Sequence, residues 1–199
     1  MVLGLTGQTG AGKSTVCQLL QNEQDICVVD ADKIAREVVT SGTDCLAEIV
    51  LCFSITVLNE DGTLNRKKLG KIVFNDREKL KQLNSITFPY IIAGMKEQIN
   101  KGIKAGHSIV ILDAPVLFES KSDQLCDKVL AVIADTEVRK NRIMQRDSLT
   151  SEEALARMNS QHGDDFYTSR ADYIIRNDGD VTALRLQVVE LLEKLRNFA

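Results

Sequence analysis

The segment that most constrains this chain stands at its start, VLGLTGQTGAGKSTVCQLL over residues 2–20. Within it Gly7, four free positions, Gly12, Lys13 and Ser14 keep the spacing of a phosphate-binding loop. Such a loop needs a strand before it and a helix after it. The apolar run VLGLT and the amphipathic STVCQLL supply both. Glycines let consecutive backbone N–H groups turn toward one anion, and the helix adds its positive N-terminus. Gly7, Gly10, Ala11, Gly12, Lys13, Ser14 and Thr15 are therefore the expected contacts to a nucleoside triphosphate such as ATP. Lys13 reaches the β- and γ-phosphates, and the Ser14 hydroxyl is placed for Mg²⁺.

A strand that delivers such a loop belongs in an open α/β sheet, and the rest of the chain agrees. Apolar runs bounded by turn residues predict strands at Val2–Thr6, Ile26–Asp30, Ser108–Asp113, Lys128–Ala134 and Tyr173–Arg176. Helical patterns at Ser14–Gln21, Lys33–Val39, Thr136–Arg146 and Val181–Arg196 alternate with them. This alternation predicts a parallel sheet of about five strands flanked by helices. Two stretches break it. Residues 41–106 read as a long helical insertion, in which Pro89 is expected to bend or break the helix. Residues 136–170 hold a second helical stretch restarted at TSEEALARM, where Thr150 and Glu153 have capping-box spacing.

Ligands of open α/β sheets bind beyond the carboxyl ends of the strands. Asp30 and Asp32 follow the second strand, and Asp113 ends the third. Asp113 has the position of a carboxylate that holds Mg²⁺ directly or through water. Asp32 has two readings: a cap on the next helix, or a base that takes the proton of an attacking hydroxyl. Arg139, Arg142 and Arg146 share one helix face. Arginines there suit the negative charge that spreads over a transferring phosphoryl group, although a solvated face is the other reading. Asn177 follows the last strand, either as an adenine contact or as a turn residue.

Composition narrows the class. A net charge of −3 gives no overall field for nucleic acid or anionic membrane. No apolar run approaches a membrane span. The five cysteines form no C-x-x-C pair, which suits a reducing, cytoplasmic compartment rather than a metal or disulfide framework. The start, MVLGLTG, reads as a strand and not as a secretory leader. A guanine-reading N-K-x-D segment is missing, since NKGI at 100–103 lacks the aspartate. That argues against a switch GTPase.

Taken in order, these segments resemble the dephospho-coenzyme A kinase family over nearly the whole chain. The match runs through GLTGQTGAGKSTV, VVDADKIAREVV at 28–39, DGTLNRKKLGKIVF at 61–74 and LNSITFP at 83–89. It continues with DAPVLFE at 113–119, RIMQRD at 142–147 and ADYIIRNDG at 171–179. The resemblance implies a P-loop kinase core at 1–40, 107–135 and 164–199, a coenzyme A (acceptor) domain at 41–106 and a lid at 136–163. It implies transfer from ATP to the ribose 3′-hydroxyl of dephospho-CoA, with Asp32 as base and Arg142 and Arg146 in the lid. Another small-molecule or nucleotide kinase is the alternative. Neither nucleic acid nor membrane is an expected partner, and the oligomeric state stays open. The chain departs from the family's usual residues at Gln8, Thr9 and Ala11, at Phe88 where histidine is usual, at Val116 where leucine is usual, and at Arg139 where glutamine is frequent.

Overall fold

In the computed structural model, which describes residues 1–74 and 76–197, the apolar runs pair into one sheet. Its strands are β1 (Val2–Gly7), β2 (Ile26–Asp30), β3 (Ile109–Asp113), β4 (Lys128–Ile133) and β5 (Tyr173–Arg176), in the order β2-β3-β1-β4-β5. Strand β1 runs parallel to β3 and β4, and β4 runs parallel to β5. The central strand is buried from end to end. Its successors in the chain lie on both sides of it, so its carboxyl end opens at a topological switch point.

Both faces of the sheet are covered, which is why its strands read as continuous apolar runs rather than alternating ones. On one face Leu3, Leu5, Leu130 and Val132 pack with Val16 and Leu20 of α1 (Lys13–Gln21) and with Leu184, Val188, Leu191 and Leu195 of α9 (Val181–Arg196). On the other, Ala131 and Ile133 pack with Tyr167 of the short α8 (Asp164–Thr168), flanked by Phe118 and Phe166. Burying a side chain such as Leu130 contributes about 1.5–3 kcal/mol. Between β4 and β5, α6 (Thr136–Asp147) and α7 (Ser151–Asn159) join around Ile143, Ala154 and Met158. The capping box of Thr150 and Glu153 starts α7 as its spacing predicts.

Two compact units divide the chain. One comprises Met1–Val29 with Ile99–Ala199, and the other Asp30–Gln98. The second holds α2 (Ala31–Glu37), α3 (Asp44–Phe53), α4 (Arg66–Val73) and most of α5 (Arg77–Lys104). Its core is Val39, Cys45, Ile49, Phe53, Val57, Leu69 and Val73.

Pro89 does not break α5, the second of the two outcomes expected from sequence; it lies inside one helix of 28 residues, Arg77–Lys104. Leu80, Leu83, Ile86 and Tyr90 lie against the core of this unit on either side of the proline. Packing thus outweighs the lost hydrogen bond. Pro89 and Ser85, whose carbonyl loses its helical partner, are both exposed, where water can take the missing donor's place.

Candidate active site

The loop after β1 has its shape imposed from behind. Gly10 and Gly12 hold φ of 78° and 92°, a region that side chains rarely enter. A Cβ on Gly10 would stand 2.7 Å from the Arg139 carbonyl oxygen, and one on Gly12 would strike the Asn177 amide. Three consecutive loop carbonyls accept side-chain hydrogen bonds. Arg139 Nε donates to Thr9 O at 3.0 Å, an Arg142 guanidinium N–H to Gly10 O at 3.5 Å, and Asn177 Nδ2 to Ala11 O at 2.8 Å. Carbonyls drawn to one side leave the N–H groups of Gly10 and Gly12 to the other, while the Ala11 N–H closes the loop on Gln8 O at 3.1 Å. Helix α1 then begins at Lys13 with Gly12 as its cap and no side chain capping its first N–H groups. Those N–H groups and the helix dipole are what an anionic phosphate binds.

Lys13 stands in the first turn of α1, and Asp113 ends β3, the strand beside β1. Because the two strands are neighbours, the side chains meet, and the Lys13 ammonium hydrogen-bonds the Asp113 carboxylate. Both are largely buried, with side-chain exposures of 15% and 18%. Ser14 and Thr15 are exposed on the same first turn. Among the described residues, no group of three or more His, Cys, Asp or Glu side chains is placed to hold a metal.

The arginine face of α6 divides into three situations. Arg139 is only 4% exposed, and burial pulls its pKa down while nearby Asp164 acts the other way. Arg142 is half-buried and also donates to Asn177 O at 2.9 Å. Arg146 is exposed and makes two 2.8 Å hydrogen bonds to Asp147, which raise its pKa. Asp147 also accepts from Arg157 of α7. Asn177 is buried behind the loop, where its amide is spent on Ala11 rather than facing outward.

In the other unit, α2 starts at Ala31, and Asp30 is its cap, accepting from Lys33 N at 2.9 Å. The capping reading of Asp32 therefore passes to Asp30. Asp32 lies in the first turn with an exposed side chain.

Sequence reasoning missed two loop contacts. Gln161 Oε1 accepts from Thr9 N at 2.8 Å, and Gln8 Nε2 donates to His162 O at 3.1 Å. The signal available was the presence of Gln8 and Thr9, larger than a phosphate loop requires, in need of partners.

A phosphate-binding loop at the carboxyl edge of a parallel sheet, opening on an uncapped helix N-terminus, defines the class of P-loop nucleotide-binding proteins. The CoaE dephospho-CoA kinase family matches residues 1–183. The chain belongs to that family of ATP-dependent kinases. It is 45% identical to the dephospho-CoA kinase of Listeria innocua over 195 residues, 98% of this chain and 97% of the relative. Among solved structures, one from Thermus thermophilus aligns at a TM-score of 0.81 and 31% identity, covering 98% of this chain and 97% of the other. Dephospho-CoA kinase from Campylobacter jejuni aligns at 0.74 and 31% identity, covering 98% and 96%. No helix among the described residues is long and apolar enough to cross a membrane.

Proposed function

We propose that this chain transfers the γ-phosphoryl group of ATP to the ribose 3′-hydroxyl of dephospho-CoA, giving CoA and ADP. The observation that carries the phosphoryl-transfer part is the Lys13–Asp113 pair beside the uncapped start of α1. Family membership supports the acceptor. The readings as a different nucleotide kinase or a switch protein have no comparable support.

In this reading the backbone N–H groups of Gly10, Gly12, Lys13 and Ser14 hold the β- and γ-phosphates, while those of Ala11 and Thr15 donate within the loop, to Gln8 O at 3.1 Å and Gly12 O at 3.0 Å. The Lys13 ammonium has three donors, so it can serve phosphate oxygens while still bonded to Asp113. The Ser14 hydroxyl and the Asp113 carboxylate are hard oxygen donors, suited to a Mg²⁺ ion that takes its other ligands from phosphates and water. Such an ion would neutralise charge developing on the transferred group. Asp32, free of capping duty and exposed, takes the proton of the attacking hydroxyl. Arg146 contributes by exchanging Asp147 for the phosphoryl oxygens. Arg142 keeps further guanidinium donors after binding Asn177 O. Asn177 serves ATP through the shape of the loop.

The stretch 41–106 is the acceptor domain of this proposal, with Phe88 presenting an exposed apolar ring, and 136–163 is its lid. The cysteine spacing, with no C-x-x-C pair, fits a reducing, cytoplasmic setting. The test is ADP release from MgATP with dephospho-CoA, adenosine, nucleoside monophosphates or no acceptor, with product mass recorded. Turnover confined to dephospho-CoA, with one added phosphoryl group, is expected. Turnover with a nucleotide instead would overturn the acceptor assignment, and hydrolysis without any acceptor would overturn the kinase reading.

A further inference from the structure

The Thr9 peptide is gripped on both sides by side chains that have no part in the chemistry described above. Its carbonyl accepts from Arg139 of α6, and its N–H donates to Gln161, just beyond α7. One residue earlier, Gln8 reaches back to the same segment and donates to the His162 carbonyl. Two hydrogen bonds, both donated by residues 8–9, thus join them to residues 161–162.

That segment is itself anchored. The His162 ring stacks on Phe166 at 3.8 Å between centroids. Phe166 makes edge contacts with Phe118 and Tyr167, and Tyr167 is fully buried against β4. Gln161 therefore presents its acceptor from a fixed support and not from a free loop end.

The energetics of Gln8 show what the junction is for. This side chain is 3% exposed, and its Oε1 is buried without a hydrogen-bond partner among the described residues. A buried acceptor left unpaired is destabilising. Such groups call for an explanation in placement or function.

We infer that Gln161 is a positioning residue for the ATP site. By holding the Thr9 N–H, it fixes the first half of the phosphate loop, so that the N–H groups of Gly10, Gly12 and the start of α1 face the phosphates. This rests on the ATP-binding part of the proposed function. Thr9 itself is not assigned to the phosphates, so Gln161 acts on the nucleotide only through the loop.

The experiment compares Gln161→Met, which keeps the length but removes the strong acceptor, with Gln161→Glu, which keeps it. The Arg139 guanidinium, bonded to the carbonyl of the same residue, offsets the charge that Gln161→Glu introduces. The KM for ATP, the KM for dephospho-CoA and kcat are measured. So are the Kd for a non-hydrolysable ATP analogue and hydrogen exchange at the Thr9 amide in the free protein. Gln161→Met is expected to raise the ATP KM and the analogue Kd about fivefold, the equivalent of one ordinary hydrogen bond, ~1 kcal/mol. It should speed Thr9 exchange and leave the dephospho-CoA KM unchanged, and Gln161→Glu should restore both readouts. Unchanged ATP affinity in Gln161→Met overturns the inference. So does a parallel rise in both KM values with a lowered Tm that Gln161→Glu fails to rescue. Wild-type protein without dephospho-CoA turnover would defeat the proposed acceptor, while analogue binding and Thr9 exchange would still decide the role of Gln161.

Discussion

At the scale of single residues, identical side-chain types acquire different work from one position to the next. Asp30 and Asp32 differ by two residues, yet Asp30 closes the start of α2 and Asp32 stays exposed. Asp32→Asn should therefore leave the helix and its stability intact while lowering kcat about 10²–10⁴-fold, the usual contribution of a positioned base. Steady-state kinetics with dephospho-CoA check this, and near-normal kcat would remove Asp32 from the mechanism. The three arginines show where sequence legibility ends. Their spacing placed them on one helix face, but not which would be buried. Arg139 went under the loop because Thr9 offers it a carbonyl there, while Arg146 stayed outside with Asp147. Asn177 likewise could be located at the end of β5 from its sequence, but its bond to Ala11 depends on a contact 166 residues away in the chain.

At the scale of elements, local pattern was sufficient wherever local forces decide. The strands are continuous apolar runs between turn residues, and all five differ from their predicted bounds by at most one residue at one end. Thr150 and Glu153 announce α7 because a capping box is a contact between residues three apart. α5 is the counterexample. Proline is about 3 kcal/mol worse than alanine inside a helix, and only contacts distant in sequence explain why the helix persists. The hydroxyls of Ser85 and Thr87 donate to the carbonyls of Gln82 and Leu83, occupying acceptors in the turn before Pro89. If packing carries the helix across an intrinsic weakness, Pro89→Ala should stabilise the protein by about 1–3 kcal/mol, since the site is exposed and the ring fills no core. Denaturant unfolding followed by circular dichroism measures it. A loss of stability would mean that the ring itself is part of the packing.

At the scale of the whole molecule, the two edges of the parallel sheet have separate duties. The carboxyl edge carries the loop, Lys13 and Asp113. The amino edge is closed by carboxylates that hold strand starts together. Asp25 accepts from Ser108 at 2.6 Å and from Arg196 at 3.2 Å, and Asp127 accepts from Val2 N at 2.6 Å. Asp172 takes Lys128 Nζ at 2.8 Å and Val129 N at 2.9 Å, pinning the start of β5 to β4. Burial raises the Asp172 pKa, but these hydrogen bonds outweigh it and leave the carboxyl below its usual value; the Ser108 hydroxyl does the same for Asp25. A carboxyl whose folded pKa is depressed contributes stability that is fully present above its unfolded pKa, near 3.9, and is lost as pH falls through the folded value. Thermal stability should therefore be nearly flat from about pH 7 to 5 and fall below roughly pH 4. Asp172→Asn should cost about 0.5–1.5 kcal/mol at pH 7, discounted because the carboxylate is partly exposed. The deficit should shrink as pH falls below the usual carboxylate range, where wild-type Asp172 takes up its proton and loses the same advantage. Calorimetric scans of both proteins across this range decide the matter. A deficit equal at both ends would mean that side-chain shape, and not charge, holds the amino edge together.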